Sequence, residues 1–169
     1  MAATSPPIAR QPGPVAAVRP LYLLALLGAK KCAPVTGRTR LVKLVFLVQK
    51  KVIEELRLGI TPDSYRFRAL NYGPFSEDVY DDLATLQIRG LAAVDGDNEA
   101  VQSFHLTDKG RGLLSRLVQH KVIPQSVFSA IQDVKEAYGD LPLDKLIERV
   151  YSQYPAYTGR SLIKDRYRY

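Results

Sequence analysis

YRFRALNYGPFSEDVYDDLATLQIRGLAAVDGDNEAVQSFHLTDKGRGLL, residues 65–114, decides the fold. Tyr65 to Asn71 alternates in part and reads as extended chain. Tyr72-Gly73-Pro74-Phe75 reads as a turn. Ser76 is placed to cap a helix, and Glu77, Asp78, Asp81 and Asp82 suit its positive end. Val79, Tyr80, Leu83, Leu86 and Ile88 form its apolar side. Gly90 breaks the pattern. Leu91–Val94 and Val101–Leu106 then read as two strands joined at Asp95-Gly96-Asp97-Asn98. In the second strand Phe104 and Leu106 share one face, and His105 takes the other. Thr107 caps a further helix with Leu113, Leu114, Leu117 and Val118 inward. Helix, two-stranded wing, helix is the back half of a winged helix.

Upstream, Pro20 starts a helix reaching about Lys30, and a loop follows from Ala33 to Gly37. Thr36 or Thr39 can cap a long helix to about Leu56. On its wheel, Leu41, Val42, Leu44, Val45, Val48 and Val52 fill one arc. Arg40, Lys43, Lys50 and Lys51 fall on the other, with Leu47 and Glu54 among them, giving an expected basic outer face. Gly59 and Pro62 end that pattern. Downstream, Pro124 starts a helix with Val127, Ile131, Val134 and Tyr138 as its stripe, closed by Gly139. Pro142 starts the last helix, carrying Leu143, Leu146, Ile147, Val150, Tyr151 and Tyr154 before Pro155. The expected fold is mainly α: a winged helix-turn-helix with a small β-hairpin wing and two extra C-terminal helices. Residues 1–19 read as a flexible Pro/Ala-rich tail, 20–155 as the domain, and 156–169 as a basic aromatic tail.

The 169 residues suffice for one compact domain, and 46% hydrophobic content supports a core. The lone Cys32 excludes an internal disulfide and a cysteine metal cage, and fits a cytoplasmic setting. Net charge is +7, unevenly spread: +8 over residues 1–60, −5 over 61–100, +1 over 101–140 and +3 over 141–169. The run Leu21–Leu27 behind Arg10 and Arg19 imitates a signal peptide. Lys30-Lys31 stand where a cleavage site belongs, so export is not expected. No run of about 18 apolar residues occurs, so a membrane span is not expected either.

Tyr72-Gly73-Pro74, with Ser76 and Tyr80 after it, resembles the Panacea-type domain of SocA-like antitoxins, and prokaryotic proteins of the YwgA-like kind. The Arg-Leu-x-Lys-Leu-x-Phe-Leu run at Arg40–Leu47 and the Tyr151–Ser161 segment are similar too. The resemblance spans about residues 20–161. It implies a helical domain with a winged-helix element, no known catalysis, and an antitoxin or adaptor role for some members. Separately, Gly73–Gly110 is similar to the reading helix and wing of PadR- and MarR-type regulators, which is a likeness of architecture.

Two kinds of partner follow. For DNA, the groove-reading helix would be 76–89, but its first turns are acidic and so is the wing tip, which disfavours the usual pose. The candidate DNA contacts are therefore Arg38, Arg40, Lys43, Lys50 and Lys51, with Arg66, Arg68, Arg89, Lys109 and Arg111 as a second group. For a protein partner or a second copy of the chain, the candidate surface is Glu77, Asp78, Asp81 and Asp82. Catalysis is not expected. His105 and His120 lack metal-ligand neighbours, Cys32 lacks a positioned base, and Asp81 and Asp82 diverge on a helix. No metal or cofactor is expected. The reading is a non-enzymatic regulator, DNA-binding through the basic helix face, with a protein-binding antitoxin or adaptor as the alternative.

Overall fold

In a computed structural model of the chain, residues 19–55 and 64–158 are described, the side chains of 53–55 excepted. The expected terminal tails, the Gly59–Pro62 break and the last basic aromatic residues lie outside these. The elements run α1 (Arg19–Cys32), β1 (Val35–Thr36), α2 (Arg38–Glu55), β2 (Arg68–Leu70), β3 (Gly73–Phe75) and α3 (Glu77–Ile88). Then follow β4 (Ala92–Asp95), β5 (Ser103–Leu106), α4 (Asp108–Gln119), α5 (Gln125–Tyr138), α6 (Leu143–Gln153) and a closing 3-10 turn, Pro155–Thr158. The chain is mainly helical with two small antiparallel sheets. One sheet has the order β1-β5-β4, and the other is the hairpin β2-β3.

The apolar run that imitates a signal peptide is the heart of α1. Tyr22 to Leu27 are all buried, packed among α2, α3, α4 and α5. Gly28 is needed there because a Cβ would meet Leu114 Cδ2 at 2.0 Å. Regular geometry then breaks: Lys30, Lys31 and Cys32 have φ of 52°, 52° and 58°. Such left-handed residues cost roughly 1–2 kcal/mol each. Lys135 of α5 holds the break, its Nζ donating to the carbonyls of Leu27 (3.0 Å) and Ala29 (2.8 Å).

The long helix α2 corrects an expectation. It has no basic outer face over its middle, because every residue from Leu41 to Gln49 is buried, Lys43 and Leu47 included. A wheel assumes one wet side, and α1, α5, α6 and β3 surround this helix. Its start follows Gly37 (φ 92°), whose carbonyl accepts from the Leu41 amide.

Tyr72–Phe75 is likewise not simply a turn. Gly73–Phe75 is strand β3, pairing Leu70 with Gly73 and Arg68 with Phe75, so the reversal lies at Asn71-Tyr72. Gly73 has φ of 95°, and a Cβ there would stand 2.7 Å from the Tyr151 ring. Ser76 occupies the N-cap of α3 but makes no capping bond, and its buried hydroxyl has no partner among the described residues. Thr107 does cap α4, accepting from the Gly110 amide at 3.1 Å. The stripes of α5 and α6 are buried at Val127, Ile131, Val134, Leu146, Ile147, Val150 and Tyr151, while Leu143 is exposed. Beyond Pro155, Tyr157 rests on the Phe46 ring, centroids 4.8 Å apart.

Candidate partner-binding site

The basic residues read as DNA contacts are mostly engaged by groups of the fold, although only Lys43 is buried and Arg66, Arg68, Arg89, Lys109 and Arg111 are exposed. Lys43 is 3% exposed and donates to the Pro74 carbonyl at 2.9 Å, tying α2 to β3. Burial pushes its ammonium down to about 8. Arg40 donates to the carbonyls of Thr36, Gly139 and Leu141, clamping the end of α5. Arg38 reaches Glu99 and Gln102 between β4 and β5 and lies over the Tyr80 ring. Lys50 stands among the rings of Phe46, Tyr154 and Tyr157, and Lys51 pairs with Asp133. Arg66 and Arg68 pair with Asp78 and Glu77. Lys109 donates to the Arg89 carbonyl, and Arg111 pairs with Asp108. Both expected basic groups are therefore largely engaged with acceptors and rings of the fold itself, and Lys43 does not stand on an outer face.

The acidic residues also divide. On α3 the buried positions are Asp78, Val79, Asp82, Leu83 and Leu86, which form one arc. Asp78 and Asp82 are each 4% exposed, so they are not a partner surface. Arg19 reaches both, at 3.0 Å to Asp78 and 3.4 Å to Asp82. Arg66 wraps Asp78 with its backbone amide (3.0 Å), Nε (3.2 Å) and Nη2 (2.9 Å). Those bonds hold the Asp78 carboxyl well below the usual carboxylate range, against the opposing pull of burial. Asp82 goes the other way: burial raises it, opposed by Tyr65 and Arg19. Tyr65 closes the network, its hydroxyl donating to the Arg19 carbonyl at 2.9 Å. Burial, and then the Asp82 charge, push that hydroxyl well above its ordinary value. Sequence reasoning missed Arg19 and Tyr65 as partners of these acids. The i, i+4 spacing of Asp78 and Asp82 beside Val79 and Leu83 was the available signal.

Outward on this side are the tip of the hairpin β2-β3, Asn71 and Tyr72, and part of the start of α3, while Gly73 and Pro74 are buried. Glu77 and Asp81 are exposed there, and Tyr72 stands 50% exposed at the hairpin tip. A concavity lies on each side. One, of about 290 Å³, is polar and includes Arg66, Arg68, Glu77 and Asp81. The other, of about 200 Å³, includes Val42, Lys43, Tyr72, Phe75 and Tyr80. An exposed aromatic between shallow polar and apolar hollows suits a protein contact, where tyrosine is enriched.

The model of the antitoxin SocA-like, Panacea domain family matches residues 41–164. The chain belongs to this family. The matched part of the Panacea domain begins within α2 and takes in the hairpin β2-β3, α3, strands β4 and β5 and the last three helices. The whole of α1, Arg19 included, precedes it, although α1 fills the centre of the core. No curated protein matches the chain significantly. Among the described residues, no helix is long and apolar enough to cross a membrane, and no His, Cys, Asp or Glu group is clustered as a metal site.

Proposed function

We propose that the protein is a non-enzymatic, protein-binding antitoxin whose hairpin β2-β3 and the start of α3 dock its partner. Membership of the SocA-like antitoxin family carries the reading. The engagement of the cations supports it, because phosphate contacts need charges free to displace counterions. Apart from Arg89, each candidate DNA residue already holds a carbonyl, a carboxylate or an aromatic ring.

A DNA-binding reading has one observation in its favour. We read the order α1-β1-α2-β2-β3-α3-β4-β5, with the sheet order β1-β5-β4, as compatible with a winged helix that carries the hairpin β2-β3 between its two helices. Contact would then fall to Arg89, Lys109 and Arg111 around the start of α4.

Co-expression with the product of the adjoining reading frame tests the proposal. An antitoxin restores growth that the neighbour alone stops, and Tyr72→Ala/Glu77→Ala weakens the rescue. Unrestored growth, together with tight binding to duplex DNA that Arg89→Ala/Arg111→Ala abolishes, would favour the regulator reading instead.

A further inference from the structure

Among the described residues two cations are buried, Lys43 and Lys135, and Lys135 has two carbonyls. Lys43 has a single acceptor among the described residues, the Pro74 carbonyl, and no carboxylate. An ammonium has three N–H donors, and a buried charge left short of partners is costly. Yet Lys43 borders the 200 Å³ hollow beneath the hairpin. Thr39, four residues earlier and so on the same side of α2, borders it as well. The other walls include Val42, Leu70, Phe75, Tyr72 and Tyr80, and no acidic residue lines it.

We propose that this hollow is a carboxylate-binding site, with the anion on Lys43 and Thr39 and a flat apolar body against Val42, Phe75 and Tyr80. The volume equals about seven liquid waters at ~30 Å³ each and lies below the ~300 Å³ where drug-sized pockets begin. It therefore takes a single-ring acid or one C-terminal aromatic residue of a peptide, and excludes a nucleotide. Tyr72, half exposed at the hairpin tip, forms the mouth. The site does not depend on the antitoxin reading: a free acid would occupy it in a protein of any function.

The test uses the full chain carrying lysine labelled with carbon-13 at Cε, and follows the titration midpoint of each lysine by NMR. Lys43→Arg identifies the Lys43 signal and keeps the charge. Benzoate serves as the free acid, and acetyl-Ala-Phe as the peptide terminus. Benzamide and acetyl-Ala-Phe-amide are their neutral twins. An acid held on Lys43 raises its midpoint from about 8 by about one unit or more, a tenfold preference for the charged lysine. Lys135, equally buried but remote from the hollow, stays unmoved. A shift with the peptide acid alone identifies a polypeptide terminus as the source, and a shift with benzoate identifies a free acid. No Lys43 shift with either acid, an equal shift at Lys135, or equal binding of the neutral twins would overturn the proposal.

Discussion

Asp78→Asn separates an internal clamp from a partner surface. In the wild type the Asp78 carboxylate accepts three hydrogen bonds from Arg66 and an ion pair from Arg19 at 3.0 Å, while itself 4% exposed. Asparagine keeps the shape but removes the charge, and turns amide donors toward two guanidinium groups. Breaking a buried pair by one partner costs about 3–5 kcal/mol. The Arg66 side chain is 83% exposed, so its share is nearer the surface value, and the low end applies. A loss of ~3 kcal/mol lowers Tm by about 6–12 °C for a domain of this size. Circular dichroism melting reads that directly. The acid limb gives a second check. A carboxyl lowered by folding contributes stability present above its unfolded pKa of about 4 and lost as pH falls below it. The gap between wild type and Asp78→Asn should therefore narrow below pH ~4. Asp82, which is raised, slopes oppositely but is common to both chains. A melting point within about 2 °C of wild type, with partner binding lost, would show that the carboxylate serves a surface and not the core.

Other perturbations follow from the same contacts. Lys43 and Lys135, both lowered to about 8, bind fewer protons folded than unfolded between pH ~8 and ~10, so stability rises there by up to ~3 kcal/mol each. Above pH ~10 the trend reverses, because Tyr22 (about 12) and Tyr65 are raised and resist ionising in the fold; denaturant midpoints falling steadily from pH ~8 would contradict this. Arg40→Ala frees the carbonyls of Gly139 and Leu141 and should cost about 1–3 kcal/mol in urea unfolding, where a purely DNA-contacting arginine would cost nothing. Gly110→Ala places a Cβ 2.0 Å from the Leu91 carbonyl oxygen, so α4 must move off the start of β4; a loss of about 3 kcal/mol or failure to accumulate soluble protein is expected, and wild-type melting would refute the packing.

The sequence made the helices legible wherever local chemistry marks them. Pro20, Pro124 and Pro142 stand at or beside helix starts, the 3.6-residue stripes of α5 and α6 are buried, and Thr107 caps α4 as its position implies. Strand β5 appears where expected because Phe104 and Leu106 alternate with polar neighbours. The charged residues were not legible, and the reason is range. Lys43 donates to a carbonyl 31 residues away, and Arg40 to carbonyls about 100 residues away. Periodicity places such side chains on a face but does not say whether water or protein lies beyond it. Asp78 and Asp82 looked like ordinary helix-start acids because the macrodipole already accounts for them. Their true partner, Arg19, lies on α1 at the far end of the domain sequence. The Tyr72–Phe75 stretch combined Gly and Pro, which signals a turn, yet the turn lies two residues earlier, centred on Asn71 and Tyr72, and β3 uses both.

The measurement that bears most directly on the antitoxin account is the salt dependence of binding by the purified chain. Size-exclusion chromatography against the purified product of the adjoining gene, and duplex-DNA anisotropy, are run in low and high salt. The account predicts a protein complex that survives high salt and is weakened by Tyr72→Ala, with no salt-resistant DNA binding. No protein complex at either salt, beside specific DNA binding lost in Arg89→Ala/Arg111→Ala, would contradict it.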